Sequence, residues 1–293
     1  MGVALNAKHV PTASIVIERD SPSAVSFAAG ELRRYLAIIT GGRFPVGDEI
    51  ADAQAPAIRL GVNLTEGPDL SGRKPGSFGW TARDGQIAIS GDEPGAVLHA
   101  VYALLEELGC VWLHHWEGGE IVPRIPEVTV PFGERIHEPV FTHRELTHIL
   151  PITDEFPLMI DWMAKNRFNR FMVFANVAGS IETYLELLEP EALARGMRAT
   201  MGHHSFRYFL PPDEFFDDHP EYYALLDGER NRDGQLCTSN PEVVEVVAER
   251  VCGFFADHPG IEMIELWPND GQGSWCQCER CMALEPQRPS FWA

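Results

Sequence analysis

Residues 240–270 read NPEVVEVVAERVCGFFADHPGIEMIELWPND, a helix pattern followed directly by a strand pattern. Asn240 can cap this helix, and Pro241 suits its first turn, where an N–H would lack a helical partner anyway. The spacing of apolar residues predicts a helix over 241–256 and a strand over 261–266. The same alternation runs through residues 144–205. A repeat of strand and helix predicts parallel β–α–β units, either doubly wound or closed as a barrel.

The first part of the chain has a different pattern. Two helices are predicted, at about residues 25–40 and 94–108, and Ser21 or Ser23 is expected to cap the first. Three apolar runs are predicted to pair as antiparallel strands, and the Asp84-Gly85 pair between two of them is a strong hairpin signal. These runs are residues 57–62, 78–82 and 86–90. The sequence therefore predicts a small α+β domain at 1–138 and a second domain at 139–293.

The composition limits the possible partners. The chain has 293 residues, of which 45% are hydrophobic, enough for two globular domains with real cores. Its formal net charge of −20 repels phosphate backbones and anionic membranes, so neither nucleic acid nor membrane is an expected partner. No segment resembles a signal peptide, which predicts a cytoplasmic protein for the chain as written. The oligomeric state is not indicated.

Three of the six cysteines, Cys276, Cys278 and Cys281, fall within six residues. Such clustering is typical of metal or redox chemistry rather than of a dispersed disulfide framework. Cys237 is expected on the same face, and four thiolates would form a closed, structural zinc site. The alternatives are two disulfides or free thiols, and no organic cofactor is indicated. The remaining two cysteines are predicted to be small core residues: Cys110 and Cys252.

Longer motifs resemble known families. The first 138 residues resemble the accessory domain that precedes the barrel in α-glucuronidases and β-N-acetylhexosaminidases, through AAGELRRYL at 28–36, ITGG at 39–42 and ISG at 89–91. The rest resembles an uncharacterised bacterial barrel family grouped with those hydrolases, through GHHS at 202–205, HPEYYAL at 219–225, NPEV at 240–243 and PNDG at 268–271. The resemblance implies a (β/α)8 TIM-type barrel that hydrolyses O-glycosyl bonds in carbohydrate, with uronic-acid or amino-sugar ends as candidate substrates.

A closed barrel needs about 250 residues and eight strands. Residues 139–293 are therefore expected to supply only the first four strands, so that the barrel is truncated. Relatives of this type are often exported, whereas the lack of a signal-peptide pattern predicts a cytoplasmic protein.

Functional groups of a parallel barrel gather at the carboxyl ends of its strands. Asp270 is the predicted proton donor, because the resemblance places the catalytic acid at the end of the fourth strand, although Asp-Gly after Pro can also be a plain turn. Glu265 is the weaker carboxylate candidate, and the second catalytic carboxylate is expected beyond Ala293. The predicted substrate ligands are Arg144, His203, His204, Asn269 and Trp275, with Trp267 as a second stacking candidate and Glu145, His148 and Asn176 at other strand ends.

Two other functions remain open at this point. One is a carbohydrate-binding protein that has lost the acid pair, and the other is an inactive fragment of a larger hydrolase. A second carboxylate that faces Asp270 would distinguish a hydrolase from a binding protein.

Overall fold

The structure is a computed structural model that describes residues 1–7, 9–49, 55–147, 153–175, 179–270 and 274–284. The chain forms two compact units. The first comprises Met1–Leu146, Thr153–Phe171 and Leu185–Arg198, and the second comprises the other described residues. The predicted domain boundary near Glu138 rests on sequence pattern and stays a prediction.

The N-terminal part of the first unit contains most of its strands and two long helices. The helices are α1 (Ser23–Thr40) and α2 (Pro94–Glu107). The strands are β1 (Gly2–Ala4), β2 (Asn6–Ala7), β3 (Val10–Pro11), β4 (Ser14–Val16), β5 (Val46–Gly47), β6 (Ala57–Val62), β7 (Phe78–Arg83), β8 (Gln86–Gly91), β9 (Val111–Trp112), β10 (Glu120–Ile121), β11 (Thr129–Pro131) and β12 (Gly133–His137).

The main sheet of the first unit has six strands in the order β12-β7-β8-β6-β4-β5. The predicted hairpin is confirmed: β7 and β8 are antiparallel, and both turn residues, Asp84 (φ 48°) and Gly85 (φ 76°), are left-handed. The prediction that residues 57–62 join an antiparallel set is wrong, because β6 runs parallel to β8. The chain passes from β6 to β7, and the tight hairpin then returns β8 into the gap beside β6.

Helix α1 buries the apolar side predicted for it and ends at Gly41, whose φ of 80° is the left-handed conformation that glycine adopts freely. Its start differs from the prediction. Pro22 occupies the cap position and no side chain caps the helix, so neither Ser21 nor Ser23 has that role. Ser23 is already inside the first turn, where Pro22 fixes the direction of entry.

The rest of the chain alternates strands and helices, as predicted. The strands are β13 (Glu145–Thr147), β14 (Arg170–Phe174), β15 (Arg198–Gly202), β16 (Leu225–Leu226), β17 (Glu229–Arg230) and β18 (Ile261–Ile264). The helices are α3 (Phe156–Lys165), α4 (Ser180–Thr183), α5 (Glu189–Ala194), α6 (Phe206–Phe209), α7 (Pro212–Phe215), α8 (Pro241–Asp257) and α9 (Glu279–Ala283), with a π-helical turn at Tyr184–Leu188 and a 3-10 turn at Pro220–Tyr222. None of the described helices has the length and apolar character needed to cross a bilayer.

Four of these strands form an open sheet in the order β13-β14-β15-β18. Strands β15 and β18 are parallel. Strands β14 and β15 are also parallel, because hydrogen bonds join Arg198 N to Asn169 O at their starts and Ala175 N to Gly202 O at their ends. Strand β15 ends at Gly202, and β18 ends at Ile264, two residues earlier than predicted.

A buried charge network ties α3 to other elements of the first unit. The Lys165 side chain is 3% exposed, and its Nζ bonds to the Glu120 carboxylate and, at 2.5 Å, to Asp161 Oδ2. Asp161 Oδ1 also accepts from Arg195 Nη2 at 2.9 Å, and Tyr35 Oη donates to Glu120 at 2.7 Å. Burial opposes ionisation of Asp161, but the two cations hold its pKa below the usual range. The opposite charges therefore keep each other ionised, and Lys165 itself is shielded from water.

We expect Lys165→Met to destabilise the protein by about 3–5 kcal/mol, because Glu120 and Asp161 would lose their shared cation inside the fold. Urea denaturation followed by circular dichroism measures the free energy of unfolding. Lys74→Met is the matched control at an exposed lysine and should change that free energy by less than about 0.5 kcal/mol. Equal losses in the two variants would contradict the network's importance.

Candidate functional site

The carboxyl ends of β15 and β18 bring two histidines and an aspartate together. His204 Nε2 lies 3.0 Å from Asp270 Oδ2, and the His204 side chain is 11% exposed whereas that of Asp270 is 89% exposed. The other ring nitrogen, Nδ1, lies 2.5 Å from the carbonyl oxygen of Pro268. A carbonyl only accepts, so Nδ1 must carry a proton. Nε2 is buried and has no hydrogen-bond partner among the described residues, so Asp270 lies beside His204 without a hydrogen bond to it.

His203 lies beside this pair in an uncommon backbone conformation. Its φ of 65° ends the strand with a sharp turn, which few residues other than glycine adopt. The His203 ring lies 4.6 Å from Phe174 and 5.1 Å from Trp267, measured between ring centroids. Desolvation and the neighbouring His204 lower the His203 pKa, which keeps the ring neutral near pH 7. Neutral imidazole offers one donor and one acceptor to a ligand.

Glu265 directly follows β18, so it lies at the strand end rather than within the strand. Its side chain covers Gly202, where an added Cβ would meet the Glu265 Cβ at 2.5 Å. Only glycine at position 202 permits this approach. Glu265 Oε2 is buried and has no hydrogen-bond partner among the described residues. This oxygen is therefore available to a ligand hydroxyl.

Gln235 fixes the segment that carries Asp270, although no motif in the sequence singles it out. Its side-chain Nε2 donates to Asn269 O at 2.6 Å, and its Oε1 accepts from Asn269 N at 2.9 Å. The fully buried amide thus pairs with the Asn269 backbone as a neighbouring strand would. The Gln235 backbone N–H also donates to Ser274 O at 2.9 Å. One residue therefore holds both sides of the loop that follows the strand.

Arg144 belongs to the first unit, and most of its donors serve the backbone there. Its Nε donates to Arg167 O at 2.6 Å, and its Nη1 donates to Phe141 O at 2.9 Å. Its own N–H donates to Asn169 Oδ1 at 2.8 Å. These bonds anchor the start of β13, and a role for Arg144 as a substrate ligand stays a prediction.

The other predicted ligands are less informative. Asn269 is half-buried with its backbone held by Gln235, and Trp275 is half-buried directly before Cys276. Their roles in binding stay predictions. His148 and Asn176 lie outside the described residues.

Four cysteines of the second unit converge in a cluster. The ligand atoms of Cys237, Cys276, Cys278 and Cys281 all lie within 4.8 Å of one another. Cys237 Sγ is 3.7 Å from Cys278 Sγ and 3.8 Å from Cys281 Sγ. A tetrahedron with Zn–S bonds of about 2.3 Å requires sulfurs about 3.8 Å apart, whereas a disulfide requires about 2.05 Å. The cluster can bind a metal such as zinc.

The sulfurs differ in their surroundings: burial raises the pKa of the Cys276 thiol, whereas hydrogen bonds favour the thiolate at Cys278. Leu225 N donates to Cys276 Sγ at 3.3 Å, and Cys281 N donates to Cys278 Sγ at 3.4 Å. Desolvation opposes ionisation of Cys278, but such hydrogen bonds lower its pKa to about 6. All six cysteines are free; Cys110 is buried as predicted. The prediction of a buried Cys252 is wrong, since it lies on the exposed side of α8.

Comparisons with known proteins find one family model and several solved structures of glycoside hydrolases. Residues 113–291 match the family model described as domain of unknown function DUF4838. No curated protein matches the chain. Among solved structures, a family GH115 4-O-methyl-α-glucuronidase with specificity for decorated arabinogalactans superposes with a TM-score of 0.59 at 11% identity, over 90% of this chain and 42% of that one.

A GH20 β-N-acetylhexosaminidase from Streptomyces coelicolor gives a TM-score of 0.55 at 17% identity, over 91% of this chain and 57% of that one. A GH138 enzyme that targets pectin rhamnogalacturonan II gives a TM-score of 0.51 at 14% identity, over 87% of this chain and 38% of that one. The chain thus spans from 38% to 57% of the lengths of these three enzymes. At such identities the likeness concerns the fold.

We expect Gln235→Leu to destabilise the protein by about 1–3 kcal/mol, because the backbone N–H and C=O of Asn269 would lose their partners. Thermal and urea unfolding measure the loss. Gln86→Leu is a matched control at a half-buried glutamine on β8 and should stay within about 0.5 kcal/mol of the parent protein. A Gln235→Leu variant as stable as the parent would show that the amide pairing does not fix this loop.

Proposed function

The chain belongs to the DUF4838 family, and we propose that it is a carbohydrate-active protein of the glycoside hydrolase type. In this proposal residues 1–138 are an accessory α/β domain, and residues 139–293 form the first half of a (β/α)8 barrel. The parallel strands and the superposition on three glycoside hydrolases support that arrangement. The main support for activity is the 3.0 Å approach of His204 to Asp270 at the carboxyl ends of neighbouring parallel strands.

Asp270 is the proposed proton donor to the leaving glycosidic oxygen. Hydrolysis needs such a donor and a second carboxylate, roughly 5–9.5 Å apart. In this proposal Asp270 delivers its own proton to that oxygen, the attacking water returns a proton to the site, and His204, 3.0 Å away, positions the Asp270 carboxyl. No second carboxylate is assigned among the described residues, and Glu265 is proposed to accept a substrate hydroxyl.

The proposed substrate is carbohydrate with a uronic-acid or amino-sugar end. His203 offers a neutral donor and acceptor, and Trp267 offers an exposed ring face for a sugar. Asn269, Trp275 and Arg144 remain proposed ligands whose contacts with substrate are still to be tested.

A second candidate is binding of carbohydrate without hydrolysis. The observation that favours it is the 89% exposure of the Asp270 side chain. A general acid usually owes its protonation near neutral pH to burial, which raises its pKa. An exposed carboxylate instead suits hydrogen bonding to a bound sugar.

Structural zinc is the proposed cofactor, held by Cys237, Cys276, Cys278 and Cys281. Four thiolates leave no open position for water, so zinc would contribute stability rather than chemistry. Cys237 lies two residues after Gln235, and Cys276 lies two residues after Ser274, whose carbonyl oxygen accepts from Gln235 N. A metal held by both cysteines would therefore stabilise the segment that presents Asp270.

We expect the protein to release product from glycosides with terminal uronic acid or N-acetylhexosamine, and Asp270→Asn to lower kcat by about 10²–10⁴-fold. Glu265→Gln should instead raise KM, because a hydrogen-bond acceptor would be weakened. Asp227→Asn, on the turn between β16 and β17, is the control and should leave both constants unchanged. Binding of these glycosides without turnover would favour the second candidate, and absence of both binding and turnover would contradict the proposed function.

Protein purified without added metal should contain about one zinc per chain by inductively coupled plasma mass spectrometry. Cys281→Ser should lose zinc and melt at a lower temperature, because Cys281 is one of the four ligands. Cys252→Ser, at the exposed cysteine, should keep both properties. Zinc far below one equivalent, together with four readily titrated thiols or two disulfides, would contradict the metal site.

A further inference from the structure

The first unit contains a pocket with a volume of about 380 Å³ beside the buried Lys165. Sites for small ligands usually measure about 300–1,000 Å³ and combine apolar walls with a few placed polar groups. This pocket has both kinds of wall. Its aromatic side includes His115, Trp116 and Trp162, and its charged side includes Glu120, Asp161 and Lys165. None of these residues belongs to the strand-end site.

Trp116 gives the aromatic side a ring that ligands can reach. The residue is 58% exposed, an unusual setting for the largest apolar side chain in a protein. The rings of His115 and His114 lie near the indole, with centroids at 4.2 Å and 5.5 Å. An indole supported by its neighbours and open to solvent is suited to stacking on a flat apolar surface.

The loop that carries Trp116 is tightly closed between β9 and β10. Leu113 N donates to Gly119 O at 2.8 Å, and Gly119 N donates to Trp116 O at 3.0 Å. An added Cβ at Gly119 would lie 2.1 Å from His114 O, so the loop requires glycine there. Trp162 Nε1 donates to Trp112 O at 3.2 Å, which fixes the second indole against the same strand. The aromatic side is therefore preorganised, which lowers the cost of binding.

The charged side presents carboxylates whose positions are fixed. Asp161 bonds through its two oxygens to Lys165 at 2.5 Å and Arg195 at 2.9 Å, yet its side chain is still 23% exposed. Glu120 is held by Lys165 and Tyr35 and is 34% exposed. Each carboxylate oxygen has a second acceptor site, so both groups can accept hydrogen bonds from hydroxyls of a ligand. Hydrogen bonds to ionised acceptors are about twice as strong as neutral ones.

The charge of the pocket argues against an anionic ligand. Three carboxylates line it, those of Glu117, Glu120 and Asp161, against the two cations of Arg34 and Lys165. The cations are already paired, Lys165 with Glu120 and Asp161, and Arg34 with Glu31. The chain as a whole carries −20. The ligand best matched to this pocket is therefore neutral, with an apolar face and a rim of hydroxyl donors.

We infer that this pocket is a second carbohydrate site, which binds a neutral pyranose unit of an oligosaccharide. The C–H face of the sugar stacks on Trp116, and its hydroxyls donate to Asp161 and Glu120. The two carboxylates are committed to Lys165 and serve as acceptors, so the site holds the sugar without cleaving it. The inference does not depend on hydrolysis at the strand-end site.

The test is isothermal titration of the 293-residue chain with cellohexaose, xylohexaose and hexaacetylchitohexaose, with hexagalacturonate as the anionic comparison. We expect binding of at least one neutral hexasaccharide, and a loss of affinity of about tenfold or more in Trp116→Ala from the lost ring stacking. Trp116→Phe should recover part of that affinity. Hexagalacturonate should bind more weakly than the neutral hexasaccharide.

Leu113→Ala is the matched control, because Leu113 is 60% exposed on the same loop and lies outside the pocket. It should bind as the parent does. Asp227→Asn, on the turn between β16 and β17 and outside both sites, should also keep this affinity. Absence of binding to all three neutral sugars, unchanged binding by Trp116→Ala, or tighter binding of hexagalacturonate would overturn the inference.

Discussion

The pairing of Lys165 with Glu120 and Asp161 is the constraint on which the first unit depends. An ammonium group that leaves water loses several kcal/mol of solvation, and only a complete set of partners offsets that loss. The partners come from separate elements, since Glu120 is on β10, Asp161 is on α3 and Arg195 follows α5. The network therefore joins β10, α3 and the residue that follows α5. The pocket beside Trp116 obtains its rigid polar side from the same groups.

Much of the fold could be predicted, because its signals are local. Apolar spacing located α1, α2, α3 and α8, and the Asn240 cap is confirmed by its bond to Glu242 N at 3.1 Å. The main error concerns a feature that depends on distant parts of the chain. The direction of β6 is decided by where the later hairpin inserts, which the residues of β6 do not indicate.

The candidate site divides in the same way. Position at a strand end was enough to bring His203, His204 and Asp270 into consideration, and spacing alone singled out the cysteine cluster. Gln235 was missed because its partner, Asn269, is 34 residues away in sequence. Trp116 was missed because an isolated tryptophan usually indicates packing. Its exposure and the charged groups opposite it become visible only in three dimensions.

Because the Gln235 amide pairs with the backbone of Asn269, the conformation at this point of the loop does not depend on the side chain of Asn269. A loop held by a neighbouring strand needs a run of residues in register, and insertions shift that register. A loop held by one side chain needs only that side chain and a backbone peptide to meet. The segment around Asp270 can therefore vary in length and composition without loss of its anchor. Such an arrangement lets substitutions change the side chains that the segment presents while the sheet beneath stays the same.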